Sequence, residues 1–369
     1  MKTKAAVLWG PDQPWSVEEI ELDEPRHGEV LVRMVAAGLC HSDEHMRDGT
    51  NPMAYPLIGG HEGAGVIERV GPGVTSVAVG DPVVLSFIPS CGRCRACARG
   101  MSSVCDLGAK IGPGLQVADD TSRHHAQGRD ASLMCILGAF AEYTVVNEAS
   151  CVKVTPDVPL ERAALVGCGV TTGWGSSVYV GRTQPGDTAV ILGMGGIGCG
   201  AVQGAAMAGA RHVVVVDPSA FKRDEAFRFG ATHAASDIAE AATLLQDLTW
   251  GAMADVVVIS IDKMHGSALA PAMSLLGKGG TCVQVSVGDP TESAVDLRLI
   301  DLTSMRKTIT GSWYGNANPR SDIPMLLRLY MDGKLKLDEM VTREYELTDI
   351  NKGFADMLAS EIVRGVIRF

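Results

Sequence analysis

Two rhythms of apolar and polar positions divide the chain. Up to about residue 155 the apolar residues come in short alternating runs, such as GEVLVRMVAAG, GAGVIERVG and GDPVVLSF, broken by Gly and Pro. Period-two alternation between turn residues predicts short, half-buried strands, so this part reads as mostly β. From about residue 186 the apolar runs become continuous: TAVILG, HVVVVD, ADVVVISI and TCVQVSV. Helical segments separate them, among them GIGCGAVQGAAMAGA, FKRDEAFRFGA and HGSALAPAMSLLG. Unbroken Val/Ile runs between helices predict βαβ units around a parallel sheet covered on both faces. Beyond about residue 313 the alternation ends, leaving two amphipathic helical stretches, PMLLRLYMDGKL and TDINKGFADMLAS, and a closing strand, RGVIRF. The long irregular piece 106 to 135 exceeds an ordinary connection and is expected to be a functional or interface loop.

Composition narrows the function. A chain of 369 residues suits about two domains. With 43 acidic against 32 basic side chains, the formal net charge of −11 argues against nucleic acid and anionic membrane as partners and favours small molecules. The N-terminal stretch MKTKAAVLWGPDQPW is too short in apolar length for a signal peptide, and no run approaches the roughly 20 apolar residues of a membrane span, so a cytoplasmic protein is expected. Ten cysteines in a reducing compartment point to metal or catalysis rather than disulfides.

VILGMGGIG places Gly193, Gly195 and Gly198 in G-x-G-x-x-G spacing after an expected strand and at the start of an expected helix. Glycine at these positions permits the tight turn, the approach of backbone to a pyrophosphate, and close packing of helix on strand. Gly196 belongs to the same loop. Asp217 ends the next strand, 24 residues after Gly193, where a carboxylate can accept from ribose hydroxyls and repel a 2′-phosphate. NAD is therefore favoured over NADP, although Lys222 and Arg223 stand nearby.

Candidate metal ligands fall into two patterns. SCGRCRACARGMSSVCD gathers Cys91, Cys94, Cys97 and Cys105 as C-x2-C-x2-C-x7-C, enough thiolates to close a tetrahedral site and leave no place for substrate. Zinc and an iron–sulfur cluster both suit such spacing. LCHSDEHM, GGHEGAG and LVGCGVTTGW scatter Cys40, His61 and Cys168 along the chain. These types suit an open catalytic zinc, but spacing alone does not group them. Cys135, Cys151, Cys199 and Cys282 match no ligand pattern and read as small buried residues.

GHEGAGVIERVG, CHSDEH, the four-cysteine cluster, GCGVTTG and the glycine loop occur in the order found in the zinc-dependent, medium-chain alcohol dehydrogenases, which the chain resembles over its whole length. The resemblance implies an α/β architecture: a doubly wound Rossmann domain, 170–313, inserted into a mostly β GroES-like catalytic domain, 1–169 and 314–369. The active site would lie in the cleft where the two meet. It implies catalytic zinc on Cys40, His61 and Cys168, with Asp43 and Glu62 behind the ligands, and structural zinc on Cys91, Cys94, Cys97 and Cys105. Arg93, Arg95 and Arg99 would offset the charge of that tetrathiolate. Ser42 and His45 would carry the alcohol proton to solvent, while His41 and Arg364 resemble pyrophosphate contacts. His41 stands where many relatives have arginine, which puts the strength of that contact in question. Phe87, Ile136, Leu137, Val287 and Trp313 match positions lining an apolar alcohol pocket, with core packing as their alternative role.

More narrowly, WSVEEIEL, LSFIPSCGRC, VGCGVTTGWGS and TWGAMADVVV resemble the actinobacterial nitrosodimethylaniline-dependent enzymes associated with mycofactocin. That likeness implies oxidation of primary alcohols by an NAD held in place and recycled by an external carrier, in a homo-oligomer. A thiol-dependent formaldehyde dehydrogenase is the enzymatic rival. A silent NAD-binding or structural protein is the alternative of another class, opposed by the joint presence of Cys40, His61, Cys168, Ser42 and His45.

Overall fold

The computed structural model describes residues 1–369. Its chain forms two compact units, Met1–Gly169 with Asn318–Phe369, and Val170–Ala317. The second crossing lies beyond residue 313 because the turn Tyr314–Asn316 packs into the second unit: a Cβ on Gly175 would stand 2.3 Å from Gly315 O. No helix is long and apolar enough to cross a membrane.

In the second unit, the strands lie in the order His233–Ala235, His212–Val216, Thr188–Leu192, Ala254–Ile259, Leu276–Gln284 and Thr308–Gly311. Every neighbouring pair is parallel. In chain order this is 3-2-1-4-5-6, the doubly wound arrangement, with its reversal beside Thr188–Leu192. All five residues of that strand are buried, as a central strand with both faces covered requires. The helix Ile238–Thr249, which joins the two halves, begins where Asp237 Oδ1 accepts the N–H groups of Ala239 and Glu240, each at 2.9 Å.

The first unit holds a six-stranded and a seven-stranded sheet. Strand Glu29–Gly38 organises the larger one, pairing antiparallel with Gly63–Val70, Tyr143–Asn147 and Arg364–Arg368. The chain's last strand thus lies directly against one near its beginning.

The segment 106–135, expected to be a functional or interface loop, covers the outer edge of Tyr143–Asn147. Gln116 Nε2 donates to Val145 O at 2.8 Å, and buried His124 approaches Thr144 Oγ1 at 3.1 Å. Beneath it the Arg123 guanidinium grips the Glu29 carboxylate through two bonds, 2.9 and 2.7 Å, with neither residue exposed. An open strand edge is a template for unwanted pairing, and side chains here occupy groups that a further strand would have taken.

Burial pushes the His124 imidazole down to about 3, with the nearby positive charges of His125 and Arg123 acting in the same direction. An exposed histidine titrates near roughly 6.5, so between these values the unfolded chain binds a proton that the folded chain refuses. This group's contribution to stability is complete above about pH 6.5 and falls as pH drops toward 3. Replacing His124 with Phe should therefore reduce the acid sensitivity of the unfolding free energy by about 1.4 kcal/mol per pH unit between roughly pH 6 and 4. Urea unfolding at several pH values measures this, and equal slopes in parent and variant would contradict it.

Candidate metal centres and dinucleotide site

Cys91, Cys94, Cys97 and Cys105 come together with all four sulfurs within 4.8 Å of one another. The Cys91–Cys97 and Cys94–Cys105 sulfurs are 4.0 and 3.9 Å apart, far too long for disulfides. They are close to the roughly 3.8 Å edge of a tetrahedron with ~2.3 Å zinc–sulfur bonds. Backbone N–H groups turn inward: Cys94 N donates to Cys91 Sγ at 3.3 Å and Cys97 N to Cys94 Sγ at 3.4 Å. Hydrogen bonds from the Cys97 and Asp106 backbones bring the Cys94 thiol down to about 6, while burial pushes Cys105 up to about 12. Four sulfurs at this spacing are ligands for a soft cation, which would hold all of them as thiolates. Arg93, Arg95 and Arg99 lie exposed around it.

The scattered residues also converge. Cys40 caps the helix His41–Arg47; His61 and Glu62 precede strand Gly63–Val70; Cys168 sits between the turn Ala164–Gly167 and the helix Gly169–Gly175. Their donor atoms, Glu62 carboxylate included, lie within 4.8 Å of each other. Sequence reasoning put Glu62 behind the ligands, whereas the structure puts its carboxylate among them. Adjacency to His61 was its signal in the sequence, but the direction of its side chain depends on distant groups. Glu62 Oε1 accepts from Gly169 N at 3.0 Å and Oε2 is paired with the Arg364 guanidinium.

The two thiols are pushed in opposite directions. A hydrogen bond from Cys168, with His61 close by, holds Cys40 well below the usual thiol range, while the same contact and burial hold Cys168 well above it. Burial opposes charge on His61, yet Asp43 and Cys40 raise its pKa well above the ordinary value. Asp43 Oδ2 lies 3.0 Å from His61 Nδ1, leaving Nε2 as the nitrogen for a ligand. Two thiols, an imidazole and a carboxylate enclosed at this spacing form a donor set that fits zinc. Cys40 is half-buried while His61, Glu62 and Cys168 are buried, so the accessible side of the set is at Cys40.

The other expected residues divide. Ser42 Oγ is 3.8 Å from Cys40 Sγ, at the accessible side. His45, expected to hand a proton to solvent, is only 4% exposed, because the helix turns it inward. Arg364, expected at a pyrophosphate, is buried with its guanidinium on Glu62 and on Leu39 O. His41 is half-buried at the helix start. Of the pocket candidates in the first unit, Phe87 and Ile136 are nearly enclosed and Leu137 is fully so, as core packing requires; Val287 and Trp313 of the second unit are exposed.

In the second unit, Gly193 has φ 92°, and a Cβ on Gly198 would stand 2.0 Å from Gly193 O, so neither position tolerates a side chain. A Cβ on Gly195 would meet nothing within 4 Å, which leaves open space above the N-terminus of the helix Gly196–Met207. That is the place where an anion is favoured by unpaired N–H groups, so the loop fits a dinucleotide. Asp217 Oδ2 accepts from Met194 N at 2.8 Å and Oδ1 from Ser219 N at 2.9 Å, tying the second strand's end to the loop. Arg223 is bound to the carbonyls of Asp217 and Pro218 at 2.7 and 2.9 Å, while Lys222 is half-buried in the first turn of the next helix.

Residues 26–157 match the model of the alcohol dehydrogenase GroES-like domain, and residues 196–332 that of the zinc-binding dehydrogenases. The chain belongs to the zinc-binding alcohol dehydrogenase family, oxidoreductases acting on alcohols with zinc and a nicotinamide cofactor. Within it, the chain is 50% identical over 367 residues to the NDMA-dependent alcohol dehydrogenase of Amycolatopsis methanolica, covering 100% of this chain and 99% of that one. It is 49% identical over 370 residues to alcohol dehydrogenase B of Mycobacterium tuberculosis, with the same coverage. Benzyl alcohol dehydrogenase from Acinetobacter calcoaceticus superposes with a TM-score of 0.91 at 29% identity, covering 100% of this chain and 99% of that one.

Cys97→Ser is expected to lower the zinc content by about one ion per chain and the thermal midpoint by several degrees, since structural zinc supplies on the order of 10 kcal/mol to folding. Metal analysis beside a melting curve checks this. A stable, zinc-replete variant lacking turnover would instead place chemistry at the cluster.

Proposed function

We propose that the chain oxidises primary alcohols to aldehydes with NAD and holds two zinc ions, one on Cys40, His61 and Cys168 and one on the four-cysteine cluster. The observation that carries this reading is the buried Cys40–His61–Cys168 donor set whose accessible side carries Ser42. Zinc, when bound there, polarises an alcohol oxygen and lowers the pKa of its hydroxyl, and the nicotinamide accepts hydride.

The chain's own residues do the rest. Asp43 fixes the ring of His61 and favours its Nε2 as ligand. Arg364 pairs with the Glu62 carboxylate and opposes the burial that raises its pKa. Ser42 takes the alcohol proton and passes it toward His45, one turn along the same helix. The glycine loop admits the pyrophosphate at a helix N-terminus, and Asp217 receives the adenosine ribose, which favours NAD. Met1–Gly169 with Asn318–Phe369 therefore serves as the metal-binding domain and Val170–Ala317 as the dinucleotide domain.

The likeness to an NDMA-dependent relative supports an NAD retained through turnover and reoxidised by a diffusing carrier, with mycofactocin one such carrier. The reading is completed by a cytoplasmic homo-oligomer acting on a small alcohol, a substrate class that accords with the acidic charge.

Native mass spectrometry of the purified protein should show two zinc ions per chain, a retained nicotinamide and the subunit number together. Primary alcohols should be turned over faster with nitrosodimethylaniline than with added NAD, and faster than the thiol adduct of formaldehyde. Failure of the zinc-replete protein to oxidise any alcohol with either acceptor would remove the dehydrogenase reading.

A further inference from the structure

Cys135 and Ile136 both adopt left-handed backbone angles, φ 51° and 56°, and Gly138 follows at 58°. A β-branched residue is rarely held this way, and such strain persists where surrounding contacts over-determine it. This turn delivers the N–H groups of Ala139 and Phe140 to Gly60 O and Gly59 O, each at 2.9 Å. Gly60 approaches so closely that a Cβ there would lie 2.6 Å from Phe140 N. Gly60 N in turn donates to Asp43 Oδ1 at 2.8 Å, and Asp43 Oδ2 is 3.0 Å from His61 Nδ1.

The turn is held equally firmly from its other side. Thr144 Oγ1 donates to Leu137 O at 2.6 Å and lies 3.1 Å from His124 Nε2. Having given its one proton to Leu137, the hydroxyl can only accept from the imidazole, an arrangement that needs the ring proton on Nε2, the nitrogen at which Val145 N–H also points. Val145 N stands at 3.4 Å from the same nitrogen, a longer and weaker contact. Thr144, His124, Leu137 and Asp43 are all fully buried, so no water competes for these bonds.

We infer that Thr144 and His124 are positioning residues for His61, acting through the strained turn Cys135–Gly138 and the Gly59–Gly60 backbone. The hydroxyl fixes the Leu137 carbonyl and the turn fixes the backbone just before His61. The N–H of Gly60 then aims the carboxylate that orients the imidazole. The inference rests on the reading of His61 as a zinc ligand. Its consequence is that metal retention at one site depends on a threonine and a histidine that do not touch the metal.

The test is zinc release from the purified holoenzyme to a chromogenic chelator, followed beside alcohol turnover and thermal midpoint. In Thr144→Val, the release phase that parallels loss of turnover should accelerate about ten-fold, while the phase from the cysteine cluster keeps its rate. Thr144→Ser, which retains the hydroxyl, should restore the parental rate. Unchanged release in Thr144→Val, equal acceleration of both phases, or no recovery in Thr144→Ser would overturn the proposal. Should Thr144→Val not fold, His124→Phe removes the donor at similar ring volume and gives the same comparison. A parental enzyme without zinc would remove the metal reading itself, and the proposal with it.

Discussion

The buried ion pair of Glu62 and Arg364, enclosed beside the thiols of Cys40 and Cys168, is the constraint around which the first unit is built. Glu62 and Arg364 are both buried, and their pairing spans 302 residues of sequence. Removing either partner would leave an uncompensated charge away from water, a loss of about 3–5 kcal/mol, so the two must arrive together. Arg364 arrives on the final strand, whose Val366 pairs with Gly38, two residues before Cys40. The chain must therefore return after completing the second unit, because the donor set at one end needs a cation supplied by the other. Gly38 makes the same point sterically: a Cβ there would stand 2.3 Å from Glu62 Oε2.

The two thiolate sets use similar donors in different ways. The Cys91–Cys105 cluster is assembled within one short stretch, whose own backbone N–H groups supply much of its order. It needs little from the rest of the fold and gives it a fixed lobe. Cys40, His61 and Cys168 come from separate elements, so their geometry is only as good as the sheet that brings them together. That dependence suits the set that must leave one side accessible, because several rigid elements can hold ligands in place without a fourth cysteine closing the site.

The sequence made some of this legible. Thr188–Leu192, His212–Val216 and Ala254–Ile259 stand out because strands covered on both faces carry unbroken apolar runs, and the glycine loop because its spacing is fixed by backbone geometry. Spacing likewise exposes the cysteine cluster, whose partners are local. Thr308–Gly311 and Val341–Glu346 were hidden, since both are mostly exposed or half-exposed and carry no matching hydrophobic signal. The directions of Glu62, His45 and Arg364 were hidden for a different reason: each is set by groups remote in sequence. Periodicity reports which residues are buried, and it is silent on which buried charges face each other.

The segment 106–135 shows how much can follow from a stretch without regular pattern. Its Gln116, Arg123 and His124 side chains cover or brace the sheet edge formed by Tyr143–Asn147. Thr144 lies on that edge strand and bonds to Leu137 O, while the residues just beyond Leu137 bond to the backbone before His61. A single set of buried hydrogen bonds thus closes an otherwise open strand edge and reaches the support of a candidate ligand. The two tasks are joined by geometry: a carbonyl fixed to the edge strand cannot move independently of the turn it belongs to, and Gly60 packs too closely on that turn to move without it.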